Sequence, residues 1–219
     1  MKRLFDFTSA LLALIVLSPL LLLLTLAVKL TSPGPVIYRQ QRVGLNRRPF
    51  QMLKFRSMRR DADRVGPLVT AGGDERVTCI GRFLRKTKLD ELPELWNVVK
   101  GDLSIVGPRP EVPRYVAGYL TEWEAIFSVR PGITDLATLQ FRNEESVLEN
   151  ARDHERAYAE IVIPIKMNLA LEYVKRSSFF FDIRIILLTL WGITLGRFFG
   201  EPDRRLADEA KRRIVEEAI

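Results

Sequence analysis

Leu11-Leu12-Ala13-Leu14-Ile15-Val16-Leu17-Ser18-Pro19-Leu20-Leu21-Leu22-Leu23-Leu24-Thr25-Leu26 decides how the rest of this chain is read. No residue from Phe7 to Val28 is charged, and a run of about 20 apolar residues is what a helix needs to enter a bilayer. A secretory signal would have a shorter apolar region ending at a small-residue cleavage site. This run ends at Lys29 with no Ala-x-Ala pattern, which argues against cleavage. Pro19 removes a helix hydrogen bond and clashes with the preceding turn, so Ser18-Pro19 kinks the helix. The Ser18 hydroxyl is placed to satisfy a freed backbone group. Lys2 and Arg3 precede the run, and Lys29, Arg39 and Arg42 follow it, so charge asymmetry gives no orientation. Two readings stay open on these residues: a kinked transmembrane helix, or a helix that enters, bends at Ser18-Pro19 and returns.

Outward from this run the chain is basic. No Asp or Glu occurs from Phe7 through Arg60, and eight Lys and Arg residues crowd between Arg39 and Arg60. A juxtamembrane cluster of this kind is drawn to anionic headgroups. Val36-Ile37-Tyr38 and Phe50-Gln51-Met52-Leu53 read as two strands of a hairpin turned by residues 44–49. Val77–Lys86, Leu89–Val99, Glu122–Val129 and Arg152–Arg176 read as helical, the last interrupted by Pro164; Leu103–Val106 reads as a strand. Phe179–Phe199 is a second apolar stretch, within which Asp182, Arg184 and Arg197 flank one short uncharged interval. It is too short to span well and fits either an interfacial helix or a buried core helix.

The 219 residues are 47% hydrophobic and 28% charged, which excludes disorder and a polytopic membrane protein. The net charge of +7 leaves nucleic acid, an anionic membrane surface or a phosphorylated substrate as partners. Cys79 is the single cysteine and His154 the single histidine, so an internal disulfide and a zinc cage are both excluded. His154 has no orienting partner in sight and reads as an exposed or satisfied histidine rather than a general base.

Thr87-Lys88-Leu89-Asp90-Glu91-Leu92-Pro93-Glu94-Leu95-Trp96-Asn97-Val98-Val99 carries the chemistry. Leu92, Leu95, Trp96 and Val99 are spaced i, i+3, i+4, i+7, one apolar face of a helix. Pro93 is tolerated only in a first turn, so the helix is expected to start near Asp90. Asp90 and Glu91 then lie at the positive end of the helix dipole, where carboxylates stay ionised and phosphate oxygens are attracted. An ionised Asp is a nucleophile able to form an aspartyl phosphate, and a neighbouring Glu is a hard oxygen ligand for Mg2+. A plain N-cap with an acidic first turn explains the same two residues. Arg85 and Arg109 are candidate phosphate ligands.

Four strings occur in order: Lys54-Phe55-Arg56-Ser57-Met58, Leu89 through Val98, Lys100-Gly101-Asp102-Leu103-Ser104-Ile105-Val106-Gly107-Pro108-Arg109-Pro110, and Arg130-Pro131-Gly132-Ile133-Thr134. Together they resemble the bacterial sugar transferase family, the small monotopic phosphoglycosyl transferases, over about Lys2 to Gly192. The resemblance implies an α+β, mainly helical fold. Residues 1–30 would form a re-entrant membrane helix broken at Ser18-Pro19. Residues 31–200 would form a catalytic domain with a small hairpin and interfacial amphipathic helices, on the cytoplasmic face of a bacterial inner membrane. Residues 201–219 read as a charged tail. Asp90 would attack a UDP-sugar, release UMP and pass the phosphosugar to polyprenyl (undecaprenyl) phosphate. Glu91 would hold Mg2+, Arg85 and Lys54 would stabilise phosphate charge, and Pro108, Arg109 and Pro110 would help hold the nucleotide. Arg56 and Arg130, in the first and last strings, join the expected substrate-binding set. Two positions depart from the family pattern: Asp135 stands where many members have Gly, and Ala170 where many have Asp. Asp135 is expected to take over a structural or arginine-orienting role of the missing acid.

The enzymatic rival is a membrane-anchored glycosyltransferase that releases UDP, with Asp61-Ala62-Asp63 as its metal motif. No run of alternating strands and helices supports it. Nucleic acid is not expected as a partner, because the basic stretch lacks interleaved aromatics and a glycine-rich phosphate cradle.

Overall fold

The computed structural model describes residues 1–62, 66, 69–70, 72–117, 120–141, 144–149, 151–194 and 205–217. Asp63, residues 195–199 of the second apolar stretch and residues 201–204 and 218–219 of the tail lie outside them. Helices α1 (Lys2–Val16) and α2 (Ser18–Thr31) meet at Leu17 and are bent by 64°. Pro19 sits in the first turn of α2, and Ser18 Oγ donates to the Ile15 carbonyl at 2.8 Å. The hydroxyl thus occupies an acceptor that the proline break leaves open. Neither helix alone is long and apolar enough to cross a membrane; the bent pair together meets that criterion.

Strands β1 (Ile37–Val43) and β2 (Pro49–Phe55) form the expected hairpin, registered from Ile37↔Phe55 to Val43↔Pro49. Helix α3 (Cys79–Thr87) is capped by Thr78, whose Oγ1 accepts the Gly81 N–H at 3.0 Å. A Cβ at Gly81 would lie 1.9 Å from the Ser57 carbonyl oxygen, so only glycine lets α3 approach the segment after β2 this closely. A single 3-10 turn, Leu89–Glu91, precedes α4 (Glu94–Lys100). The helix therefore starts one turn later than the proline rule suggests, with Pro93 itself as its N-cap. Strand β3 (Ser104–Val106) pairs in parallel with β4 (Gly132–Thr134).

The remaining helices are α5 (Pro113–Val116), α6 (Leu120–Ile126), α7 (Leu136–Gln140), α8 (Glu144–Leu148), α9 (His154–Ala157), α10 (Ile163–Arg176), α11 (Phe179–Thr194) and α12 (Arg205–Glu217). A π turn, Tyr158–Val162, joins α9 to α10, and Pro164 falls in the first turn of α10, where its missing N–H costs little. The fold is thus mainly helical α+β. The largest apolar core among the described residues joins α5, α6, α8, α9 and α10, and the C-terminal helix α12 closes it with Ala207, Ala210 and Ile214.

The N-terminal helix is bolted to this domain. Asp6 is buried and accepts from Ser104 Oγ at 2.7 Å and the Ile105 N–H at 3.2 Å. Lys2 pairs with Asp182 of α11, and Arg3 donates to the Val98 and Val99 carbonyls that end α4. At the other end of the pair, Leu24 and Val28 of α2 pack on Phe55 and Leu84. Between these anchors Leu12, Ile15, Val16, Leu22 and Leu23 are exposed. Helix α11 is two-faced: Asp182 and Ile185 are buried, while Phe180, Leu187, Leu190 and Trp191 are exposed.

Candidate active site

Asp90 and Glu91 lie on the 3-10 turn, at the floor of a cleft of about 530 Å³. The cleft is lined by β1, β2, α3, the Arg109 turn and α10. Asp90 is only 7% exposed, and its Oδ1 is buried with no hydrogen-bond partner among the described residues. Burial pushes its carboxyl above the usual range, and the neighbouring Glu91 adds to that; Lys54, Lys88 and Arg85 pull the other way. Glu91 is held well below the usual range, its burial outweighed by Arg109, Lys54 and Lys88.

Lys54 Nζ donates to Glu91 Oε1 at 2.8 Å and lies 3.4 Å from Glu94 Oε1. Arg109 pairs with the same Glu91 oxygen. Lys54 is placed by Asn97, which is wholly buried. Asn97 Oδ1 accepts the Leu53 N–H at 3.0 Å, and its Nδ2 donates to the Gln51 carbonyl at 2.7 Å. These bonds fasten β2 to α4. Arg109 is placed by close backbone contact: a Cβ at Gly107 would lie 2.3 Å from the Arg130 carbonyl oxygen, and one at Gly132 would lie 2.1 Å from the Gly107 nitrogen. The Gly107-Pro108-Arg109-Pro110 and Arg130-Pro131-Gly132 strings are therefore two sides of one contact.

A model of the family described as Bacterial sugar transferase matches residues 1–196. The chain belongs to the bacterial sugar transferase family. It is 40% identical over 195 residues to UDP-glucose:undecaprenyl-phosphate glucose-1-phosphate transferase of Caulobacter vibrioides, covering 86% of this chain and 68% of that protein. It is 42% identical to undecaprenyl-phosphate glucose phosphotransferase of Komagataeibacter xylinus, covering 86% of this chain and 35% of that protein. It is 36% identical to UDP-N-acetylgalactosamine-undecaprenyl-phosphate N-acetylgalactosaminephosphotransferase of Aeromonas hydrophila, covering 89% of this chain and 44% of that protein. The chain thus spans well under half the length of several curated relatives.

In this chain the expected site residues separate into two groups. Asp90, Glu91, Lys54, Arg85 and Arg109 share the cleft. Arg85 donates to Ser57 Oγ at 3.0 Å and pairs with Glu145 at 2.7 Å. Arg56 also borders the cleft, but its guanidinium donates to the Ser32 and Pro35 carbonyls and so secures the linker that leaves α2. Arg130 donates to the Gly101 carbonyl at 2.8 Å, beyond the cleft lining. Pro108 and Pro110 act through their carbonyls, which accept from the Gly132 N–H and from Arg42.

Glu94 escaped the sequence reading. It is 1% exposed, its Oε1 has no hydrogen-bond partner among the described residues, and burial pushes its carboxyl up to about 7. The available signal was spacing: Asp90, Glu94 and Asn97 fall at i, i+4, i+7, the face opposite the apolar stripe.

Proposed function

We propose that this chain is a phosphoglycosyl transferase that moves a sugar 1-phosphate from a UDP-sugar to a polyprenyl (undecaprenyl) phosphate, the first membrane step of glycoconjugate synthesis. The observation that carries this reading is the Asp90 carboxylate, buried with one unpartnered oxygen in a cleft bordered by Lys54, Lys88, Arg85 and Arg109. An Asp90 oxygen attacks the phosphorus that bears the sugar, and the bond from that phosphorus to the bridging oxygen breaks. UMP leaves with the electron pair, and the sugar phosphate stays on Asp90 as an acyl phosphate. An oxygen of the polyprenyl phosphate then attacks the same phosphorus and the Asp90 carboxylate is regenerated. Phosphoryl transfer draws mainly on positioning and charge neutralisation, which Lys54, Arg85 and Arg109 supply. Relatives named for glucose and for N-acetylgalactosamine support this donor and acceptor class and leave the sugar open.

Mg2+ is held mostly by one or two carboxylates plus substrate phosphates. No group of three or more His, Cys, Asp or Glu that could hold a metal occurs among the described residues, so a cage built from protein alone is absent there. The residues fit a shared site. Lys54 and Arg109 both use Glu91 Oε1, which leaves Oε2 for an ion, and Glu94 Oε1, 3.4 Å from Lys54 Nζ, has no hydrogen-bond partner among the described residues. Glu91 would hold the ion, which when bound would neutralise phosphate charge.

The α1–α2 pair enters the membrane and returns on the same face. Its support is that Lys2–Asp6 and Leu24–Val28 both attach to one domain, while the apolar vertex between them is exposed. The exposed apolar face of α11, with Trp191, lies in the interface. The domain then faces the cytoplasm of a bacterial inner membrane, where nucleotide sugars are made.

The test is nucleotide release by protein purified in lipid particles with Mg2+ and polyprenyl phosphate, across a panel of UDP-sugars, against Asp90→Asn. UMP release that needs Mg2+ and vanishes in the variant supports the proposal. UDP release would move the chain to glycosyl transfer, and no release from a folded protein would leave Asp90 as a capping residue.

A further inference from the structure

Past Asp90 and Glu91 the cleft continues into a second polar cluster that the transfer chemistry leaves unused. Arg42 of β1, Glu111 after the Pro110 turn, Tyr158 of the π turn and Lys166 of α10 all line it. The Tyr158 hydroxyl donates to Glu111 Oε1 at 2.8 Å, and Lys166 Nζ donates to the Tyr158 oxygen at 3.1 Å. Lys166 pairs with Glu144, and Arg42 lies 3.4 Å from Glu111. Ion pairs this buried rarely repay their desolvation as stabilising elements alone.

Tyr115 supplies the independent observation. It borders the same recess, its ring packs on Tyr158 at 5.1 Å between centroids, and it is 8% exposed. Its hydroxyl is buried with no hydrogen-bond partner among the described residues. A buried hydroxyl left unpaired costs stability, and phenylalanine would fill the same volume without that cost.

We propose that Glu111, Tyr115, Tyr158 and Lys166 form the subsite that receives the sugar hydroxyls of the donor, and that the subsite takes an uncharged sugar. The inference rests on the reading of the chain as a sugar-phosphate transferase. Sugar hydroxyls both donate and accept, and the recess offers a carboxylate that accepts, an ammonium that donates and phenols that do either. A nucleobase would call for an open aromatic face, whereas the Tyr158 ring has Lys166 Nζ 4.9 Å from its centroid and the Tyr115 ring packed against it at a tilt of 59°. Arg42 and Lys166 are matched in charge by Glu111 and Glu144, so these four residues leave no spare cation for the carboxylate of a uronic acid. Glu111 follows Arg109-Pro110 directly, so one short turn runs from Glu91 to the recess.

The test is calorimetric titration of the Asp90→Asn protein, which lacks the nucleophile, with UDP, UDP-glucose, UDP-galactose, UDP-N-acetylgalactosamine and UDP-glucuronate. At least one uncharged UDP-sugar is expected to bind more tightly than UDP, and UDP-glucuronate more weakly than that donor. Adding Tyr115→Phe should weaken the preferred donor about three- to tenfold, the range one hydrogen bond supplies. UDP affinity should stay within about twofold. The melting temperature should not fall, because the hydroxyl has no partner to lose; a merely structural tyrosine would behave in the opposite way. Glu111→Gln, which keeps an acceptor for Tyr158, should also lower affinity for the UDP-sugar alone. Equal losses for UDP and UDP-sugar would assign the recess to the nucleotide, and unchanged affinities would overturn the subsite. UMP release by the wild-type protein is scored separately. If release occurs and the titrations do not move, only the subsite fails; if release is absent, the transfer reading fails on its own terms.

Discussion

Asp135 holds the backbone of Arg109: its Oδ2 accepts the Arg109 N–H at 3.0 Å, while its Oδ1 accepts the Thr138 N–H at 2.6 Å and caps α7. One buried carboxylate thus ties the arginine that reaches Glu91 to the start of a helix. Ala170, where many family members carry Asp, packs in the apolar core instead. The arginine-orienting role expected of Asp135 has a direct geometric basis in this bond.

Asp135→Gly removes both acceptors. It should lower kcat for UMP release at least about tenfold, since misplacing a charged group by about 1 Å costs more than that. It should also cost roughly 1 kcal/mol of stability through the lost cap. Asp135→Asn keeps an acceptor for one bond and should fall between. Near-normal turnover in the glycine variant would sink the orienting role.

Asn97 makes three side-chain hydrogen bonds, to the Leu53 N–H, the Gln51 carbonyl and Asp102. Asn97→Ala leaves the part-buried Leu53 N–H and Gln51 carbonyl unpaired and should destabilise the protein by about 1–3 kcal/mol. Because Lys54 follows Leu53, activity should fall more than the loss of folded protein accounts for. Chemical denaturation beside UMP release per folded molecule separates the two effects.

The hairpin, the proline break and the carboxylate pair were legible because each rests on local chemistry: strand-forming runs around a turn, a missing N–H, and acids beside a first turn. Helix α4 was legible as a helix and misleading as a surface. Its apolar stripe suggests the buried side, yet Glu94, Asn97 and Val98 are the buried residues and Trp96 is 50% exposed. Periodicity reports which residues share a face, and not whether that face meets a core or a membrane. Strand β4 was missed because three residues, Gly132-Ile133-Thr134, carry no period, and its partner lies 28 residues upstream in register. Arg56 and Arg130 join the expected ligand set through the family resemblance alone. Their carbonyl partners are set by tertiary contacts that no local pattern shows.

Glu94 carries a pH signature. Its folded carboxyl sits near 7, above the ordinary 4.5, so the folded state holds a proton that the unfolded state releases. Stability should therefore fall as pH rises from about 4.5 through 7, by a few kcal/mol at most. Glu94→Gln removes that penalty. It should raise the melting temperature at pH 8 and change it little at pH 5, measured without Mg2+ or donor. A stabilisation that is the same at both pH values would show that Glu94 does not hold this proton.

Pro19 is the test of topology. If the bend returns the chain to its own face, a cysteine at position 2 and Cys79 should react with an impermeant thiol reagent from the same side of the membrane. Replacing Ser18 and Pro19 by leucine restores the missing N–H and favours one straight apolar helix. That change should carry position 2 to the far side and break Arg3–Val98 and Asp6–Ser104, which a cysteine at position 2 leaves in place. UMP release should fall with it, because Arg3 and Asp6 brace α4 and β3, the elements that hold Asn97 and lead into Arg109. Labelling of position 2 and Cys79 from opposite sides in the otherwise unaltered protein would overturn the re-entrant reading in favour of a kinked transmembrane helix.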